Sequence, residues 1–154
     1  MKNNAFCGAV KNQMKLTLPS LSVNEGLARA TVAAFCAQLD PAAPELADIK
    51  CAVSEAVTNC IVHAYRDSVG LIYITLRSFE DGTVRIDIRD KGCGIPNVKE
   101  ARAPLFTTDA AGERSGMGFT VMESFMDKLK VSSKPGRGTT VVMYKSIAGR
   151  SDNT

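Results

Sequence analysis

The sequence predicts a two-layer α+β sandwich, a mostly antiparallel sheet covered on one face by helices. Two pairs of alternating segments are each joined by a short turn, Glu80-Asp-Gly82 and Lys134-Pro-Gly-Arg-Gly138, and hairpin-linked strands pair antiparallel. The helical periodicities fall in blocks apart from those hairpins, which gathers the helices on one face. At 154 residues the chain is one domain by size, long enough to bury a core without covalent staples.

Residues 1–13 show no periodicity and read as a loose leader to a domain spanning 14–147. Met14 to Leu18 alternates apolar and polar, the pattern of a first strand. Ser22-Val-Asn-Glu25 has the spacing of a capping box, in which each side chain satisfies a backbone N–H of the other residue. A helix from Val23 to Leu39 comes next, with Leu27, Ala30, Ala34 and Phe35 expected on its inner face and Arg29 nearer the outside. Asp40-Pro-Ala-Ala-Pro44 breaks it, and Pro44 with Glu45 suits the first turn of a second helix ending near Tyr65.

Beyond Gly70 the period changes from helical to alternating. Ile72, Ile74 and Leu76 face one way and Tyr73, Thr75 and Arg77 the other, as in a half-buried strand. Asp81-Gly82 supplies the positive φ of a tight turn, and the returning strand Thr83 to Arg89 buries Val84, Ile86 and Ile88. Asp90-Lys-Gly-Cys-Gly-Ile-Pro96 then breaks the strand, and Asn97 to Ser115 reads as a long polar loop with one short helical piece around Val98 to Arg102. Loops of that length inside a small domain are usually functional or mobile. A helix from Gly118 to Phe125 precedes the final hairpin of Lys128–Ser133 with Thr139–Tyr144, and residues 148–154 form a polar, frayed tail.

Composition narrows the function classes. Lys and Arg exceed Asp and Glu by only three and are scattered along the chain, so no basic block announces direct nucleic-acid binding. Five cysteines without a C-x-x-C pair read as free thiols in a reducing cytoplasm. No apolar run reaches the ~18–20 residues that cross a membrane, and no signal-peptide core is present.

The candidate chemistry centres on Ser54-Glu-Ala-Val-Thr-Asn-Cys-Ile-Val-His63. On a helix Glu55 and Asn59 share a face, with His63 one further turn along. The rest of the segment is apolar or small, so both polar groups need a partner, and an unpaired polar group in a dry interior costs ~1–3 kcal/mol. Asp90 beside Gly92 and Gly94, Arg114-Ser-Gly-Met-Gly118, and Gly138-Thr-Thr140 are the other features. Each alone has a plainer reading as a capping pair, a turn, a flexible helix entry or ordinary strand. Together they supply a carboxylate able to accept from an exocyclic amine, glycines whose backbone N–H groups open a helix towards phosphates, and an amide oxygen suited to Mg²⁺. That is the parts list of an ATP site without a P-loop.

On these residues the chain resembles the ATPase superfamily of histidine kinases, gyrase, a heat-shock chaperone and the MutL repair proteins, and within it the sporulation anti-sigma F factor family. The resemblance spans roughly 14–147 and is carried by Ala30-Thr-Val-Ala-Ala-Phe35, Ser54-Glu-Ala-Val-Thr-Asn59, Pro104-Leu-Phe-Thr-Thr108 and Glu113-Arg-Ser-Gly-Met-Gly-Phe119. It implies a Bergerat-type fold, a mixed sheet covered on one face by helices, with ATP between the helices and a lid. It implies Asn59 on Mg²⁺, Glu55 as general base, Asp90 on the adenine amine, and Gly92 and Gly94 beside the ring. Arg114, Ser115, Gly116, Met117 and Gly118 surround the phosphates, Thr139 lies near Asp90, and Thr107 and Thr108 belong to the lid. His63 is either a phosphate contact or a plain helix-end residue.

The same resemblance implies a homodimer that holds sigma F inactive and a protein serine kinase that phosphorylates the anti-anti-sigma factor. Arg29 matches a partner-contact position, against the plainer reading of a solvated arginine. The leader is longer than the family pattern and Cys93 sits between the two glycines. Competing readings are a nucleotide-gated binding module without transfer, an anti-sigma kinase for a stress-response sigma factor, and a histidine-kinase catalytic domain cut from a larger protein.

Overall fold

The structure is a computed structural model, and it describes residues 8–103 and 118–148. In chain order the elements are β1 (Val10–Pro19), α1 (Val23–Cys36), α2 (Ala43–Asn59), β2 (Leu71–Phe79), β3 (Thr83–Asp90), α3 (Val98–Ala101), α4 (Gly118–Phe125), β4 (Lys128–Lys134) and β5 (Gly138–Ser146). The strands form one five-stranded sheet in the order β1-β2-β3-β5-β4. Every neighbouring pair is antiparallel, so the parallel component implied by a mixed sheet is absent among the described residues. The expected two-layer α+β architecture holds.

Alternation drives the layering. Ile72, Ile74 and Leu76 on β2 and Val84, Ile86 and Ile88 on β3 are at most 1% exposed, while the residues between them stay partly or wholly open. Full removal of such a side chain from water is worth about 1.5–3 kcal/mol, set against about 1–2 kcal/mol of backbone entropy per ordered residue. Val141 and Met143 of β5 continue this buried face, and α1, α2 and α4 contribute Val32, Phe35, Ile49, Val53, Val57 and Met122. Helix α2 packs against both α1 and α4.

Several local expectations change. Strand β1 begins at Val10 and pairs with β2 from Phe79 back to Leu71, so residues 10–13 belong to the sheet instead of a leader. Helix α1 buries Ala28, Val32, Phe35 and Cys36, whereas Leu27 is 52% exposed and Ala30 and Ala34 are exposed. An alanine-rich helix carries two apolar stripes, and the one with Val32 and Phe35 fills the space under the sheet better than the one with Leu27. Ser22 has helical backbone angles, φ −55 and ψ −33, and makes no side-chain cap. A capping side chain needs an extended residue behind it, and Glu25 is turned instead towards Arg29 and Ser54.

Helix α2 starts as expected, with Pro44 in its first turn and the Glu45 carboxylate accepting from the Ala42 N–H at 2.8 Å. Alanine has no side-chain acceptor, so this is half a capping box. The α-helix ends at Asn59 and widens into a π-turn over Cys60–Ala64 before Tyr65. A π-turn inserts a residue and shifts the phase of the side chains after it. Tyr65 pins this end: its hydroxyl donates to the Leu71 carbonyl at 2.7 Å and accepts from the Lys91 N–H at 2.6 Å.

Candidate functional site

The alternation of β3 turns Asp90 inward after Ile88, where it is 5% exposed. One carboxylate oxygen, Oδ1, accepts from the Gly92 N–H at 2.9 Å and the Thr139 N–H at 3.2 Å. The other, Oδ2, accepts from the Cys60 thiol at 3.6 Å. Burial pushes the Asp90 carboxyl above its ordinary range, against the lowering effect of those three donors. Thr139 stands directly across from Asp90 in the β3–β5 ladder, and its hydroxyl meets the Ser133 hydroxyl at 2.8 Å.

Asp90 opens onto a pocket of about 460 Å³ between α2, the π-turn, β3, β5 and the start of α4. Asn59, Cys60, His63, Gly94, Gly118 and Thr139 share its wall with Asp90. The volume and mixed lining suit a small-molecule site with a few placed polar groups. On that wall, a Cβ on Gly118 would lie 3.4 Å from both Asn59 amide atoms and 3.5 Å from Glu55 Oε1. Glycine there leaves open the space where the Glu55 and Asn59 side chains converge, the convergence expected of two residues one helical turn apart. Glu55 itself stands outside the residues lining the pocket.

The glycines are fixed by local packing. Gly94 lines the pocket, but its φ of +77 and the close approach of the Lys134 backbone are what require glycine. Gly92 is not part of the wall; a side chain there would strike the Ala64 backbone, and its N–H serves Asp90. Gly138, φ +113, packs against the Asp90 carbonyl. Cys93, between the glycines, ties this loop to the π-turn through its N–H to the Ala64 carbonyl at 3.1 Å and its thiol to the His63 carbonyl at 3.3 Å.

Thr107, Thr108, Arg114, Ser115, Gly116 and Met117 lie outside the described residues. Arg29 is away from the pocket. Its guanidinium donates to Glu25 at 2.7 Å and to the Ser54 hydroxyl at 3.1 Å, with 40% of the side chain exposed. It is therefore a half-open arginine inside a hydrogen-bonded cluster. Cys60 is the residue that sequence reasoning missed. By periodicity it is one more apolar position on the helix, and nothing in the spacing reveals a wide turn.

A family model described as the histidine kinase-like ATPase domain matches residues 18–145. Over 139 residues the chain is 55% identical to an anti-sigma F factor of Geobacillus sp. (strain WCH70), covering 90% of this chain and 94% of that protein. It is 56% identical over 137 residues to an anti-sigma F factor of Caldanaerobacter subterraneus subsp. tengcongensis, covering 88% and 94%. The chain belongs to the anti-sigma F factor family of histidine kinase-like ATPases. Solved structures carry the same fold. The RsbU and RsbW domains of a Mycobacterium tuberculosis protein superpose with a TM-score of 0.65 at 21% identity, covering 89% of this chain and 33% of that one. The histidine kinase domain of an Erythrobacter litoralis blue-light activated kinase gives 0.54 at 19%, covering 80% and 61%. Among the described residues no helix is long and apolar enough to cross a membrane.

Proposed function

We propose that the pocket binds ATP with Mg²⁺ and that the chain is a cytoplasmic anti-sigma factor and protein serine kinase. The observation that carries this reading is a buried, donor-held carboxylate on the pocket wall, with Asn59 on the same wall and Glu55 converging on it beside Gly118. Asp90 accepts a hydrogen bond from the exocyclic amine of adenine. Asn59 offers its amide oxygen to the metal. Among the described residues no group of three His, Cys, Asp or Glu side chains could hold a metal, which suits an ion that takes most of its shell from phosphate and water. Bound Mg²⁺ would neutralise charge developing on the transferred phosphoryl group.

Glu55, within reach of the same open space, takes the proton of the attacking serine hydroxyl. Gly118 begins α4 without a side chain in the way, and an eight-residue helix start directs its N–H groups and dipole at phosphate. Arg114, Ser115, Gly116 and Met117 complete the phosphate cradle, Thr107 and Thr108 the lid, and His63, on the pocket wall, is either a phosphate contact or a plain helix-end residue. The bound proteins are sigma F, contacted in part by Arg29, and the anti-anti-sigma factor as phosphoacceptor. The relatives' names support the first. The active form is a homodimer, for which exposed Val23 and Leu27 on α1 provide apolar surface.

The decisive experiment is Glu55→Gln with radiolabelled ATP, sigma F and the anti-anti-sigma factor. ATP and sigma binding should persist while phosphoryl transfer falls by roughly 10²–10⁴-fold. Near-normal transfer would remove Glu55 as base, and a wild-type protein that binds sigma F yet modifies no partner would leave a nucleotide-gated binding module.

A further inference from the structure

A cysteine sits where the base-reading carboxylate needs a third donor. Cys60 is 4% exposed and occupies the first position of the π-turn, directly after Asn59. Buried cysteines usually behave as small hydrophobes. This one instead directs its S–H to Asp90 Oδ2 at 3.6 Å, while Gly92 and Thr139 hold Oδ1 at 2.9 and 3.2 Å. The two oxygens of Asp90 are thus held from different elements: the backbone of the β3 exit and β5 on one side, a side chain of the π-turn on the other. Both Cys60 and Asp90 line the pocket. Burial, and then the Asp90 charge, push the Cys60 thiol well above its ordinary value, so it remains a protonated donor instead of a reactive thiolate.

We propose that Cys60 is a positioning and selectivity residue for the nucleotide base: its thiol holds Asp90 Oδ2 at the angle from which that oxygen accepts an exocyclic amine. The inference rests on the reading of Asp90 as the adenine acceptor. An oxygen has two lone pairs, so Oδ2 keeps the thiol and accepts the amine together. Without the thiol the carboxylate is anchored through Oδ1 alone and rotates about that anchor. The loss falls on ligands that donate to Oδ2. ITP carries a carbonyl oxygen in place of the amine, and its N1–H lies one ring position away from where the amine donates.

The test measures dissociation constants for Mg·ATP and Mg·ITP on the full chain and on Cys60→Val, Cys60→Ser and Asp90→Asn. Valine keeps the apolar volume and removes the donor; serine restores a donor. Cys60→Val should weaken ATP about tenfold, the scale of one hydrogen bond, and leave ITP nearly unchanged, so the ATP/ITP preference falls about tenfold. Cys60→Ser should recover most of that preference. Cys60→Ala removes the thiol without adding bulk and should reproduce the valine result if valine disturbs folding. Equal weakening of ATP and ITP, or no recovery with serine, reduces Cys60 to a packing residue and overturns the proposal. Asp90→Asn separates the two layers. If it keeps the wild-type ATP/ITP preference, Asp90 is not the base reader and both readings fall. If it loses the preference while Cys60→Val retains it, the inference about Cys60 falls alone.

Discussion

Asp90 is held as a buried carboxylate at an energetic disadvantage. Its native proton affinity exceeds that of the unfolded chain, whose value is near 3.8. An acid with a raised folded pKa subtracts stability as pH rises from the unfolded value through the folded one. Removing its charge should therefore help the fold at neutral pH. Asp90→Asn keeps an Oδ1 acceptor for Gly92 and Thr139 but turns an amide donor towards the Cys60 thiol, so the charge is read from the pH trend: its melting temperature without nucleotide should gain on wild type as pH rises from 3.8 to 7. The gap should close as pH falls towards 3.8, while adenine-nucleotide binding is lost at every pH. Thermal melts across that range check this, and a melting-temperature difference that does not grow with pH would refute the burial argument. Stability given up at a binding residue is the usual pattern of functional sites. At the same scale, Glu55→Gln is expected to separate binding from transfer, because the amide preserves shape and removes the base.

Elements differ in how their ends are held. Helix α1 begins at a serine whose side chain does nothing for it, and α2 begins at an alanine aided by Glu45, whose other oxygen accepts from the Ala148 N–H at 3.1 Å. Ser22→Ala should thus change stability by less than about 0.5 kcal/mol, whereas Glu45→Ala should cost about 0.5–1.5 kcal/mol by stranding two backbone donors. Urea denaturation of the two variants side by side tests the contrast, and a larger loss at Ser22 would restore the capping box. The π-turn that ends α2 is the element most tied to the site. It carries Cys60 to Asp90, His63 to the pocket wall and the Ala64 carbonyl to the Cys93 N–H, and Tyr65 fastens it to β2 and to the residue after Asp90.

The whole molecule divides into a covered and an uncovered sheet face. Lys15, Arg77, Arg85, Arg89, Lys128 and Lys130 alternate onto the side away from the core, with Arg85 paired to Asp87 at 2.8 Å and stacked over Tyr144. Charges scattered in the sequence become one basic face by the period of two. The pocket lies on the opposite, helical side and draws walls from α2, α3, α4, β3 and β5, so ligand should stabilise the fold as a unit. ATP with Mg²⁺ at 100 times its dissociation constant adds about 2.7 kcal/mol, which for a domain of this size raises the melting temperature by about 5–10 °C. Scanning calorimetry with and without Mg·ATP measures it, and an unchanged midpoint at saturating nucleotide would remove the ATP reading.

The strands were legible because alternation and Asp81-Gly82 or Pro135-Gly136 turns are local signals, and they placed Ile72 to Ile88 in the core without any knowledge of what lay above them. Glu55, Asn59 and Asp90 stood out because polar groups in apolar runs need partners, and in the fold the first two converge beside Gly118 while Asp90 collects backbone donors. The buried stripe of α1 was not, since Leu27 and Val32 are equal candidates until the sheet selects one. Nor was the reason for Gly92 and Gly94, which is the approach of Ala64 and Lys134 from distant parts of the chain. The sequence by itself determined the strand faces and the hairpins, because each is written in spacing. The tertiary structure alone decided the π-turn after Asn59 and the thiol it delivers to Asp90, because a contact between residues 60 and 90 depends on packing that turn against β3 and has no period to betray it.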